Sequence, residues 1–166
     1  MSKQTLERGR EARERGFAAA KFGWGPFGAQ SLQDDLDQLN AAREGLGPDA
    51  TLLVDAGQIW GTDLEAAKAR LAGLEAVGAV WLEEPFYADA LTEYADLQAC
   101  CQTVRIAGGE AAHSEGMARN IIDFGKVGFI QIDCGRIGGI GPAKAISDHA
   151  TTRGVTYVNH TFTSHL

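Results

Sequence analysis

A chain of 166 residues, 45% apolar and 22% charged, has the composition of a globular domain and the length to bury one core. Its net charge of −7 excludes nucleic acid as the main partner, because neutralising a phosphate backbone takes a basic face. No apolar run reaches the ~18–20 residues of a membrane helix, which excludes a membrane partner. With no secretory leader after Met1 and three cysteines lacking CxxC spacing, a reducing cytoplasm is expected.

Residues 1–15 read as a solvated helix, polar on nearly every face, with Glu7–Arg10 and Glu11–Arg15 at pairing distance. Short apolar runs of strand length follow at 17–22, 51–56, 79–82, 104–107, 127–134 and 155–159. Helical patterns lie between them. In 31–44, Leu32, Leu36 and Leu39 share a face and Ser31 is the expected N-cap. In 62–77, Thr62 and Glu65 have capping-box spacing and Gly78 closes the far end. Shorter helices are predicted over 90–101, 114–124 and 142–153, the last opening on Pro142. The 21 glycines, nearly twice the usual ~7%, suit a chain with many tight connections.

Strands alternating with helices at this pitch are βα units of a parallel sheet covered on both faces. An open nucleotide-binding sheet would carry a GxGxxG or Walker loop after its first strand. Here that place holds Lys21-Phe22-Gly23-Trp24-Gly25-Pro26, which is neither. The expected architecture is an α/β, TIM-type (β/α)8 barrel, incomplete, with about six βα units forming one partial barrel domain over 1–166.

Six ionisable residues fall at or just beyond the carboxyl ends of the six runs: Lys21, Asp55, Glu83, Glu110, Asp133 and His160. They are separated by 34, 28, 27, 23 and 27 residues, about one βα unit each. In a parallel barrel all carboxyl ends open on one mouth, so these groups are expected to converge there. Asp55, Glu83 and Glu110 would repel one another without a cation, and three oxygen-donor carboxylates suit Mg²⁺. Lys21 is then a compensating charge on the neighbouring strand. Asp133 and His160 end consecutive strands, and a carboxylate on one imidazole nitrogen leaves the other as acid or base. Alone, His160 reads equally as a core histidine or a further metal ligand; opposite three carboxylates, the dyad reading is favoured.

This constellation resembles the enolase superfamily, in its mandelate racemase-like branch. The resemblance is carried by GFAAAKFGWG, LLVDAG, WLEEP, AGGE, QIDCGRIGG and VNHTF, in order from residue 16 onward. It implies a Mg²⁺ enzyme that removes the proton α to a carboxylate, with a hydroxy-acid or sugar-acid substrate. By resemblance Asp55, Glu83 and Glu110 are the metal ligands, Asp133–His160 the catalytic dyad, and Lys21 the first lysine of a Lys-x-Lys pair. Glu83 is preferred to Glu84 as ligand because it stands two before Pro85 and on the face of Trp81; Glu84, Arg136 and His113 are placed around the site as supporting or substrate-binding residues.

Two departures shape the expected reaction. Gly23 stands where the second lysine of the pair would fall, so the base that a two-base racemase needs is missing. A one-base dehydration of a sugar acid, a hydro-lyase reaction, is therefore expected over a racemase or epimerase using another base such as His113. The chain is also short for a barrel of about 250 residues. The resemblance implies that the first and eighth strands and an N-terminal capping domain are absent, leaving open edges that invite homo-oligomerisation. A barrel fragment without catalysis, and a phosphate site at the Gly135–Gly141 run, are the remaining readings. Trp24, Phe27 and Trp60 are expected as rim packing, and His149 and His165 as structural.

Overall fold

The structure, a computed structural model, describes residues 2–161; His165 lies outside them. Helix α1 (Ser2–Glu14) leads into β1 (Ala19–Phe22), and then α2 (Leu32–Leu46), β2 (Thr51–Asp55), α3 (Leu64–Ala76) and β3 (Ala79–Glu83) follow. Next come α4 (Leu91–Cys100), β4 (Arg105–Gly108), α5 (Glu115–Asp123) and β5 (Phe129–Asp133). The one-turn α6 (Cys134–Ile137), α7 (Ile140–Arg153) and β6 (Thr156–His160) complete the order.

Local chemistry accounts for most boundaries. Ser31 caps α2 by accepting from the Asp34 amide, and Ser114 caps α5 by accepting from Met117. The cap of α3 differs from the capping-box expectation: Asp63 accepts from the Ala66 amide at 3.0 Å, one residue later than Thr62. Helix α7 starts two residues before Pro142, on Gly139, and α6 was not anticipated because Asp133 itself caps it. Helix α1 is less solvated than its charge suggests. Gly9 lies against Gly45 and Leu46, where a Cβ would come within 2.9–3.0 Å of backbone, so the absent side chains let α1 and α2 touch. Arg10 accordingly pairs across to Glu44 rather than to Glu7.

The six strands form one all-parallel sheet in the order β1-β2-β3-β4-β5-β6, curled as an incomplete (β/α) barrel. Alternation along each strand separates two faces. Leu52, Val54, Leu82, Ile106, Ile130 and Ile132 lie under the helices and are buried in one continuous core. Truncating one of them, such as Leu82→Ala, removes about 2–5 kcal/mol. The other face, lining the concave side, carries Leu53, Trp81, Phe129 and Gln131, with Trp81 and Phe129 packed edge to face at 5.1 Å. A bulge in the β2–β3 pairing moves the register from Leu52↔Ala79 to Leu53↔Trp81. That one-residue shift sets Asp55 directly beside Glu83.

Candidate active site

Strand register delivers the six ionisable residues to one end of the sheet. Asp55, Glu83, Asp133 and His160 are each the last residue of their strand, Lys21 is the last but one of β1, and Glu110 follows β4 by two. Asp55 pairs with Glu83, and Asp133 with His160, as register partners.

Lys21, Asp55 and Glu83 form the first group. The Lys21 ammonium is 2.9 Å from Asp55 Oδ2 and 2.5 Å from Glu83 Oε1. Asp55 Oδ1 accepts from the Gly57 amide, and Glu83 Oε2 accepts from Trp81 Nε1 at 3.1 Å. Burial works against the ammonium, but its bonds to Glu83 and Asp55 outweigh that and hold the Lys21 pKa above its ordinary value. Glu83 is fully buried; burial and the Asp55 charge push its carboxyl upward despite the lysine. Two carboxylates thus share one cation.

Asp133, His160, Glu110 and Arg136 form the second. After β5 the chain turns at once into α6, so Asp133 Oδ1 accepts from the amides of Gly135 (2.8 Å) and Arg136 (3.0 Å). This fixes the carboxylate and leaves Oδ2 for His160 Nδ1 at 2.9 Å. Although Asp133 is buried, its bonds to His160 and to these two amides hold its pKa below the usual carboxylate range. The Gly135–Arg136 amides are therefore spent on Asp133, which leaves the glycine run without these donors for a phosphate. Glu110 Oε2 lies 3.1 Å from His160 Nε2, and its Oε1 accepts from Arg136 at 3.0 Å.

Glu84 sits between the groups with a left-handed backbone (φ 44°). It accepts from Gln58 Nε2 and from the Gly109 amide, and burial pushes its carboxyl upward. Asp55, Glu84 and Glu110 line one cavity of about 130 Å³ together with Trp24, Gly57 and Gln58. His113 lines a separate groove with Ala88, Asp89, Leu91 and Met117, none of which belongs to either group. A larger hollow of about 580 Å³ opens where the strands begin, by Arg105, Gly128 and Val155, and touches none of the six.

The donor set suits a hard cation, with oxygen ligands only and two buried carboxylates that share a single positive group. Asp55 and Glu83 are side by side; Glu110 shares a cavity with Asp55 but is bonded to Arg136 and His160. In this arrangement no three His, Cys, Asp or Glu side chains among the described residues are grouped to hold a metal ion. Sequence reasoning missed Gln58, which supports Glu84, and Gln131, whose amide bonds Glu83 and lowers its pKa while its own oxygen is buried without a partner. Gln131 stands two before Asp133 on the same face, a signal that alternation carries. Of the three rim aromatics, Phe27 and Trp60 do pack together, edge to face at 5.9 Å, whereas Trp24 is 76% exposed.

A family model described as enolase C-terminal domain-like matches residues 4–166. The chain is 34% identical over 149 residues to L-talarate/galactarate dehydratase of Salmonella typhimurium, covering 90% of this chain and 36% of that protein. The crystal structure of that dehydratase with Mg and L-lyxarohydroxamate superposes with a TM-score of 0.85 at 33% identity, over 96% of this chain and 39% of that one. D-galactarolactone cycloisomerase of Agrobacterium fabrum is 34% identical over 151 residues, covering 90% of this chain and 38% of that protein. A predicted mandelate racemase from Rhodobacter sphaeroides superposes with a TM-score of 0.95 at 62% identity, over 99% of this chain and 42% of that one. The chain thus spans 36% and 38% of the two curated relatives.

Proposed function

The chain belongs to the enolase C-terminal domain-like family, and from that premise we propose that it is the catalytic barrel portion of a Mg²⁺-dependent hydro-lyase acting on a sugar acid. The observation that carries this reading is the Asp133–His160 dyad, 2.9 Å apart on registered strand ends, facing a lysine and carboxylates across the mouth. The dehydratase relative, solved with Mg, supports the choice of metal and substrate class.

Asp133 stays ionised because its two amide donors and His160 stabilise the charge, so it holds the proton on His160 Nδ1. Nε2, which faces Glu110 Oε2 at 3.1 Å here, is then the atom that takes the α-proton from the substrate once that carboxylate turns away. Lys21 lies where its ammonium can bind and orient the substrate carboxylate. Asp55, Glu83 and Glu110 would hold Mg²⁺, which when bound supplies positive charge to stabilise the carboxylate as negative charge develops on it. The proton held on Nε2 returns to the β-hydroxyl, the Cβ–O bond breaks, and water leaves as the Cα–Cβ double bond forms. The enol product then tautomerises to a 2-keto-3-deoxy acid. One base performs both transfers, in keeping with Gly23 at the place of a second lysine.

The chain has no helix among its described residues long and apolar enough to cross a membrane, and its three cysteines are free.

The test is incubation with Mg²⁺ and a panel of sugar acids in deuterated water, with His160→Asn as control. A 2-keto-3-deoxy product, abolished by the substitution, is the expected result. Deuterium incorporation with inversion and no keto acid means a racemase or epimerase instead. Mg²⁺ binding with neither outcome means a barrel portion that is not catalytic on its own.

A further inference from the structure

We propose that Trp24 is a substrate-contacting platform that selects a polyhydroxylated acid chain over an aryl-substituted one; this rests on the reading of the site as a sugar-acid hydro-lyase. An indole offers 150–250 Å² of surface that water disfavours, so one left in solvent at a cavity mouth is costly unless something covers it. Trp24 is 76% exposed, whereas Trp60 is buried and Trp81 is half-buried and bonded to Glu83. Its position is set from two sides. The edge of the ring lies on Gly57, where a Cβ would fall 3.1 Å from Cδ1 and 3.2 Å from Nε1. Four residues on, Gly28 donates its amide to buried Asp35 at 2.9 Å, and Asp35 is locked by Arg70 at 3.0 Å. Phe27 is also buried against Trp60. The turn carrying Trp24 is thus held before any ligand arrives, which lowers the ordering cost of binding.

Trp24 also belongs to two cavities that meet at Asp55. One, of about 130 Å³, is lined by the indole together with Gln58, Glu84 and Glu110. The other, of about 420 Å³, contains Lys21, Gly23 and Gln38. The smaller cavity therefore has one aromatic wall and one wall of carboxylate and amide groups. A sugar-acid chain has the same two-sidedness, with C–H groups to lie on the indole and hydroxyls to reach the oxygens. An aryl group would cover the indole but could not hydrogen-bond to the Gln58, Glu84 and Glu110 side chains, so it would gain from the first wall only.

The experiment uses the Mg²⁺-loaded chain with galactarate, L-talarate and L-glucarate, and mandelate as the aryl acid, followed by calorimetry and tryptophan emission. At least one sugar diacid is expected to bind and shift the emission. Trp24→Ala is expected to weaken that binding about tenfold, Trp24→Phe by less than about threefold, with Mg²⁺ affinity and melting temperature unchanged in both. Unchanged diacid affinity in Trp24→Ala, or mandelate binding as tightly as the diacids, overturns the inference and leaves the reading of the site intact. Binding of Mg²⁺ with none of the diacids overturns that reading, and the inference falls with it.

Discussion

A Cβ built on Gly23 would lie 2.5 Å from the carbonyl oxygen of Asp55, and the backbone of Gly23 is at φ 114°. Position 23 therefore has neither room nor an ordinary backbone for a side chain, and the absence of one lets β1's end approach the Asp55 strand end. Gly23→Ala or Gly23→Lys is expected to displace Asp55, lowering the melting temperature and weakening Mg²⁺ at least about tenfold. Calorimetry on Gly23→Ala checks it; wild-type affinity in that variant would remove the steric argument for one-base chemistry.

Lys21 occupies the space between Asp55 and Glu83 that a metal ion would neutralise. Lys21→Met leaves two buried carboxylates facing each other without a cation, so the metal-free chain loses stability. A divalent cation no longer has an ammonium to displace, and Mg²⁺ binds several-fold more tightly. The gap in melting temperature between metal-free and Mg²⁺-loaded protein widens, while sugar-acid affinity falls. Weaker Mg²⁺ binding in the variant would mean that the lysine assists metal capture.

The strand ends were legible because a parallel sheet repeats one arrangement: an apolar run, then a polar residue, then a turn. Asp55, Glu83, Asp133 and His160 each close a strand for this reason, and one βα unit of chain between them is enough to predict their convergence. What alternation cannot carry is rotamer and pairing across the mouth. Glu110 stands two residues beyond β4, outside the pleat, so its turn toward Arg136 and His160 depends on the α6 geometry that Asp133 creates. The contact of α1 with α2 was hidden for a different reason, since Gly9 and Gly45 contribute by lacking side chains and leave no apolar stripe. Trp24 and Trp60 each precede a glycine, and what separates them is tertiary: Phe27 and Arg70 pack on the Trp60 ring, whereas Trp24 is left exposed.

Asp133 gives the chain an acid dependence with a definite sign. Its pKa is lower in the folded chain than the ~3.9 of an unfolded aspartate, so the unfolded state binds the proton first on acidification. Its contribution is complete above about pH 4 and is lost as pH falls through the depressed folded value. Thermal melts of wild type and Asp133→Asn are therefore expected to differ near neutrality and to converge only once the pH has fallen below the depressed folded value. A gap that persists into stronger acid would show that the carboxylate's charge is not what stabilises the turn into α6.

Asp35 and Arg70 separate stability from positioning. Both are buried, at 1% and 8% exposure, and Arg70 also donates to the Ala66 carbonyl. Asp35→Ala strands the guanidinium and is expected to cost about 3–5 kcal/mol. Replacing the pair by apolar residues, Asp35→Leu with Arg70→Met, removes both buried charges together and is expected to recover most of that loss. The Gly28 amide still lacks its acceptor in the double variant, so the turn bearing Trp24 is released although the fold is not. Melting temperature near wild type with weakened galactarate binding is the outcome this geometry requires. Recovery of both would assign the pair to α2–α3 packing alone.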